Sequence, residues 1–180
     1  GVQEFMGLEF YVNEHVLIPR QDTETLVELI LNEPKEKNSS LLDVCTGSGC
    51  IAVSLAKLGG YADVTALDLS EEALKVAKSN GEKLLDHPVK FIKSDMFSAL
   101  DPENRYDVIV SNPPYIPSQV IEGLEPEVKD HEPRMALDGE PDGLKFYRIL
   151  AEEGKKIPEE RWRDLYGDRL GSGKGCNRNI

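Results

Sequence analysis

The stretch Leu41-Leu-Asp-Val-Cys-Thr-Gly-Ser-Gly-Cys-Ile-Ala52 constrains this chain most, because a short apolar run passes through a glycine turn into an apolar pattern of helical spacing. It predicts a strand, a ligand-cradling loop and a helix. Gly47 and Gly49 remove two Cβ atoms where the backbone must turn sharply and lie against a ligand, and the free N–H groups of the following helix point into the same space. Nineteen residues beyond Gly49, Val64-Thr-Ala-Leu-Asp68 reads as a second buried strand ending in a carboxylate, placed to accept two hydrogen bonds from a ribose diol. Asp68 is the expected ribose ligand.

Gly47-Ser-Gly49-Cys-Ile-Ala52 also satisfies the G-x-G-x-x-A form of a dinucleotide-binding turn, so on the glycines alone a nicotinamide or flavin enzyme stays open. Asp43 leans the other way. A carboxylate two residues before the turn, on an otherwise apolar strand, can accept from an ammonium group or brace the N–H groups of the loop, but it would repel a pyrophosphate.

The rest of the chain supplies strands and helices in alternation. Gly1 to Val16 holds Phe5, Leu8, Phe10, Tyr11 and Val12 in short pieces and predicts a hairpin. Asp22-Thr-Glu-Thr opens a helix with Leu26, Leu29 and Ile30 on one face. After the glycine turn, Ile51, Ala52, Leu55, Ala56 and Leu58 form an apolar stripe that ends at Gly59-Gly60. Ser70 caps the next helix, which carries Leu74, Val76 and Ala77 and stops at Asn80-Gly81. Val89 to Asp95 and Tyr106 to Asn112 are the third and fourth strands. Four such alternations predict an α/β fold, a mostly parallel sheet with helices on both faces and ligands at the carboxyl ends of the strands.

Asp95 and Asn112 close the third and fourth strands and so join Gly47, Gly49 and Asp68 at one crevice. Asp95 can take an exocyclic amine of adenine, with Met96 or Phe97 against its ring; capping a helix is the plainer role for Asp95. Asn112-Pro113-Pro114-Tyr115 speaks to the chemistry. Two prolines stiffen the loop and leave the Pro113 carbonyl out of any ladder. That carbonyl and the Asn112 side-chain oxygen can both accept from one planar –NH₂ group while Tyr115 stacks on its plane. Two acceptors on an amide or exocyclic amine localise the nitrogen lone pair and aim it at an electrophilic methyl.

Composition narrows the partners. A formal charge of −12 offers no basic face for nucleic acid, and the imbalance lies in residues 1–150, since residues 151–180 carry a net +1. No apolar run approaches the roughly eighteen residues of a membrane span, and no signal peptide is visible, which predicts a cytoplasmic protein. Cys45, Cys50 and Cys176 have no metal-like companions, and Cys45 and Cys50 are expected to pack as small apolar groups.

Asp43-Val-Cys-Thr-Gly-Ser-Gly49 with Asp68 resembles the first two motifs of class I S-adenosylmethionine-dependent methyltransferases, and Asn112-Pro-Pro-Tyr115 resembles the substrate motif of those that methylate amide or exocyclic nitrogen. With Glu4-Phe-Met-Gly-Leu-Glu-Phe10, Val16-Leu-Ile-Pro-Arg-Gln-Asp-Thr-Glu24, Ser94-Asp-Met-Phe97 and Glu132-Pro-Arg-Met-Ala-Leu-Asp138, the chain is similar to the PrmC/HemK release-factor glutamine methyltransferases. The resemblance implies a Rossmann-like fold, S-adenosylmethionine as cofactor and the glutamine of the Gly-Gly-Gln tip of a peptide-chain release factor as substrate. It further implies that Cys45, Thr46, Gly47, Ser48 and Gly49 wrap the cofactor's methionine portion, that Asp68 holds its ribose and Met96 its adenine, and that Asn112 to Tyr115 hold the glutamine amide. Arg20 and Glu24 would shape a lid. No metal, no dedicated base, no nucleic-acid partner and no membrane is implied.

Three segments follow: residues 1–20 as hairpin and linker from a helical domain missing here, 21–150 as the methyltransferase domain, and 151–180 as an atypical tail. The tail has no run of four apolar residues, although Arg163-Asp-Leu-Tyr-Gly-Asp-Arg169 resembles the family's late segment, so the sheet is expected to be incomplete on its C-terminal side. The rival readings are methylation of a ribosomal-protein glutamine or of adenine N6, a truncated chain that only binds cofactor or partner, and a dinucleotide oxidoreductase.

Overall fold

The computed structural model describes residues 1–35, 38–129 and 131–154, together with the backbone of 165 and 166. The chain opens with the expected hairpin, β1 (Val2–Phe5) antiparallel to β2 (Leu8–Tyr11), turned through Met6 and Gly7 at positive φ. Phe5 and Phe10 meet edge to face at 6.0 Å and anchor it. Then come α1 (Gln21–Asn32), β3 (Ser40–Val44), α2 (Cys50–Gly59), β4 (Asp63–Asp68), α3 (Glu71–Leu84), β5 (Lys90–Lys93) and β6 (Val108–Ser111). Three single-turn helices follow, α4 (Ser118–Ile121), α5 (Pro126–Lys129) and α6 (Arg134–Leu137), and then α7 (Lys145–Glu153) and the two-residue β7 (Leu165–Tyr166).

The sheet runs β5-β4-β3-β6-β7 with every pair parallel. The chain walks outward from β3 to β5 and then returns to lay β6 on the other side of β3. The order therefore reverses between β3 and β6, where a parallel sheet opens a crevice beyond the carboxyl ends of its strands. Alternation along each strand divides two cores. Leu41, Val64, Ala66 and Val110 pack with α1 and α2, and Leu42, Val44 and Leu67 pack with Leu150 of α7 on the opposite face.

Local details correct the sequence reading. The buried face of α1 is Thr23, Leu26, Val27 and Ile30, at the three- and four-residue spacing of one helix face, while Leu29 stands 50% exposed. Cys50 to Ala56 of α2 are buried all round, because α1 and α3 flank the helix, but Leu58 is exposed. Between β5 and β6 the chain crosses on turns rather than a helix, with Phe97, Leu100 and Tyr106 packed on the second core. β7 supplies a fifth strand where none was expected, pairing Leu165 with Val110 and Tyr166 with Ser111. The rest of the atypical tail, residues 155–164 and 167–180, lies outside the described residues.

The expected stop at Asn80-Gly81 is instead the buried interior of α3, which runs on to Leu84 from its Ser70 cap (Ala73 N–H to Ser70 Oγ, 3.1 Å). A Cβ on Gly81 would sit 3.3 Å from the Phe91 ring, so the glycine lets α3 lie close on β5. Asn80 is a structural bridge: Nδ2 donates to the Ser48 carbonyl (2.9 Å) and the Tyr11 carbonyl (3.0 Å), and Oδ1 accepts from the Tyr11 N–H (2.8 Å). One amide thus pins the glycine loop to the hairpin. Asn80→Ala, which strands three backbone groups, should destabilise the fold by about 2–3 kcal/mol in urea unfolding; Lys78→Ala on the exposed face of the same helix should stay within about 0.5 kcal/mol.

Candidate active site

Val44 and Ser111 are register partners at the ends of β3 and β6, and the Ser111 hydroxyl donates to the Val44 carbonyl at 2.6 Å. The next residues, Cys45 and Asn112, therefore leave the sheet side by side. Cys45, Gly47 and Gly49 all adopt positive φ (61°, 55° and 80°), which curls the loop tightly enough to deliver the chain into α2. Gly49 is also a contact requirement, since a Cβ there would lie 3.0 Å from that of Ala77 on α3. At Gly47 a Cβ would meet nothing within 4 Å, so its bare backbone faces open space.

Asp68 closes the loop from the side. Its Oδ2 accepts from the Gly47 N–H and its Oδ1 from the Ser70 N–H, both at 2.8 Å, leaving lone pairs on both oxygens. Burial raises its pKa against the pull of these bonds. Asp43 lies beneath the loop, fully buried and not part of the crevice wall. Its Oδ2 accepts from Thr46 Oγ1 (2.6 Å) and from the Ala52 N–H (3.2 Å), while Oδ1 has no partner among the described residues. Of the two roles open to it in the sequence, bracing the loop is the one this geometry supplies. Burial pushes its pKa up to about 7.

The crevice wall takes in Cys45, Thr46, Gly47, Ser48, Asp68, Asp95, Met96, Asn112 and Pro114 from the expected set, while Gly49 is not part of it. Asp95 is an exposed rim residue whose carbonyl accepts from the Ser98 N–H in a turn, so no helix follows for it to cap. Met96, at φ 48°, is buried with its sulfur 3.8 Å from that of Cys45. Burial drives the Cys45 thiol far above its ordinary range and that of Cys50 up to about 12, so both stay protonated packing groups rather than nucleophiles.

Of the second motif, Asn112 and Pro114 line the crevice, Pro113 is buried and Tyr115 stands 42% exposed at the surface, outside the crevice wall. Asn112 Nδ2 donates to Thr23 Oγ1 at 3.1 Å, and among the described residues no donor meets Oδ1, the open end of the carboxamide. The loop's exit is clasped by the segment before α7. Ile116 N–H bonds the Leu137 carbonyl (3.0 Å), and Gly139 N–H returns to Ile116 (2.9 Å). A Cβ on Gly139 would fall 2.7 Å from Tyr115 Cα, and one on Gly143 2.3 Å from the Tyr115 carbonyl oxygen. Only glycine permits that approach.

Arg20 lines the crevice and binds both oxygens of the buried Glu132 at 2.8 Å, tying the start of α1 to this clasp. Glu24, expected beside it at a lid, accepts instead from the Met6 N–H at the hairpin turn (2.6 Å). Thr23, Asn80, Glu132, Gly139 and Gly143 were given no site role in the sequence. Thr23 and Glu132 lay in two of the family-like pieces, Val16 to Glu24 and Glu132 to Asp138, and Asn80 was read as a helix stop.

Residues 21–123 match the profile of the methyltransferase small domain family. The chain belongs to that family. It is 47% identical over 150 residues to the release factor glutamine methyltransferase of Geobacter sulfurreducens, covering 83% of this chain and 52% of that protein. To the release factor glutamine methyltransferase of Bacillus cereus it is 38% identical over 183 aligned positions, covering 99% and 64%. The chain spans about half the length of the Geobacter sulfurreducens relative and of its counterparts in Clostridium acetobutylicum and Koribacter versatilis. The crystal structure of the hMettl16 catalytic domain in complex with MAT2A 3'UTR hairpin 1 superposes at a TM-score of 0.62 and 21% identity, over 82% of this chain and 56% of that one, a likeness of fold. The Rossmann-like methyltransferase architecture expected from the sequence is thus the one found.

Within this methyltransferase small domain, Asp43 carries a pH signature. Its folded pKa of about 7 lies above the ordinary 3.8, so the folded state holds a proton that the unfolded chain has released. Its contribution to stability therefore falls as pH rises from about 4 to about 7. Asp43→Asn should gain stability relative to the parent chain across that interval, measured by urea unfolding at both ends; a constant difference would mean that Asp43 is ionised throughout.

Proposed function

We propose that this chain transfers the methyl group of S-adenosylmethionine to the side-chain amide nitrogen of a glutamine, the one in the Gly-Gly-Gln tip of a peptide-chain release factor. The observation that carries this reading is the open Oδ1 of Asn112, on the same crevice wall as the Gly47 loop and one strand away from it. An acceptor there suits a donor-only –NH₂ group.

The residues fit the cofactor. Gly47 offers bare backbone against open space, Asp68 keeps a lone pair on each oxygen for a ribose diol, and Leu69, Met96 and Phe146 line the crevice for an adenine ring. When bound, S-adenosylmethionine supplies an electrophilic methyl. The protein's part is aim: Asn112 Oδ1 and the Pro113 carbonyl accept the two amide hydrogens, which turns the nitrogen lone pair out of conjugation. The methylated nitrogen loses its surplus proton to water. An acidic chain of net charge −12 favours a protein over a nucleic-acid substrate, and a release-factor partner would be met in the cytoplasm.

The test is to incubate the chain with methyl-tritiated S-adenosylmethionine and a release factor, beside a release factor whose tip glutamine is alanine. Label is expected on the first and not the second, and Asn112→Ala should lower the rate by about 100-fold or more, as removal of a transition-state hydrogen bond does. Equal label on both factors would overturn the glutamine assignment.

A further inference from the structure

We infer that Thr23 is a positioning residue for methyl transfer, fixing the plane of the Asn112 carboxamide through its hydroxyl; this rests on the reading of Asn112 as the acceptor for the substrate amide. The two ends of a carboxamide are nearly equal in shape and opposite in hydrogen bonding, and the group rotates broadly about its last torsion. An acceptor that swings loses its aim, and a small error of placement at a reacting nitrogen is expensive in rate.

In the described structure the Thr23 hydroxyl, 3.1 Å from Asn112 Nδ2, is the one side-chain hydrogen-bond partner of that carboxamide. Thr23 itself cannot drift. It is 7% exposed in the first turn of α1, its N–H bonds the Arg20 carbonyl at 3.0 Å, and Arg20 is held by the buried Glu132. A hydroxyl can serve either end of a carboxamide, so Thr23 holds the plane while the ligand selects the end. With an –NH₂ group in the crevice, the flipped arrangement would set donor against donor, and the oxygen-out arrangement observed here is the one retained. Thr23, on the same crevice wall, thus acts through the Asn112 carboxamide by holding its plane.

Paired substitutions separate this role from packing. Thr23→Val keeps the shape and the methyl group but removes the hydroxyl; Thr23→Ser keeps the hydroxyl and removes the methyl. Positioning predicts that T23V lowers kcat by about 10-fold or more with KM and S-adenosylhomocysteine binding unchanged, and that T23S restores turnover. Packing predicts the reverse order, with T23V silent and T23S impaired, and that result would overturn the inference. A second measurement is structural: in the parent protein and in T23S the Asn112 carboxamide should keep one plane with Nδ2 on the hydroxyl, and a T23V carboxamide that keeps the same plane would also overturn the inference. Asn112→Ala keeps the two readings apart. If N112A stays active the acceptor assignment itself fails, whereas an inactive N112A beside an active T23V removes only the role of Thr23.

Discussion

One hydrogen bond, from the Ser111 hydroxyl to the Val44 carbonyl, sits where the rest of the site becomes possible. It locks the ends of two strands that are distant in sequence and adjacent in the sheet, so that Cys45 and Asn112 begin two loops from one place. A slip of one residue in this pairing would turn every side chain of β6 to the opposite face. It would also move Asn112 a full strand step along the crevice. Register here is therefore a functional quantity as well as a structural one.

The glycine loop is held by buried polar groups rather than by apolar packing alone. Asp68 grips it from β4, Asp43 from below, and Asn80 from α3, each using a side-chain oxygen or amide to satisfy backbone groups that a sharp turn leaves without ladder partners. Such a network is costly when half made. The partnerless Oδ1 of Asp43 and the raised pKa that burial imposes show the site accepting that penalty. The return is a rigid cradle at positive φ with its bare backbone toward the crevice.

The sheet was legible because its signals are local. Val64 to Asp68 and the run ending at Val44 are apolar enough to be central strands, and the glycine turn between strand and helix fixes what lies at their ends. The stiff turn at Asn112-Pro-Pro was legible because two prolines leave few conformations, whereas Tyr115, expected to stack on the substrate, stands outside the crevice wall. What escaped was tertiary. Asn80-Gly81 has the chemistry of a helix stop, yet Asn80 is spent on Tyr11 and Ser48 and Gly81 on the Phe91 ring, partners that no local pattern names. Leu29 and Leu58 were assigned inward because their spacing allows it, and only the placement of neighbouring helices decides against them. Thr23 stood in a family-like run, but its pairing with Asn112 could not be read without the fold, since that partner lies 89 residues away.

The proposed methyl transfer requires an amide nitrogen and a cofactor sulfur to face one another across the Asn112 loop and the Gly47 loop. The most direct measurement is a crystal structure of the protein with S-adenosylhomocysteine and a glutamine-containing peptide. The expected arrangement has the thioether beside Gly47 with its ribose on Asp68, and the peptide carboxamide directed at the sulfur with its –NH₂ within hydrogen-bond reach of Asn112 Oδ1 and the Pro113 carbonyl. A carboxamide bound elsewhere, or an Asn112 side chain that presents its nitrogen to the ligand, would contradict it.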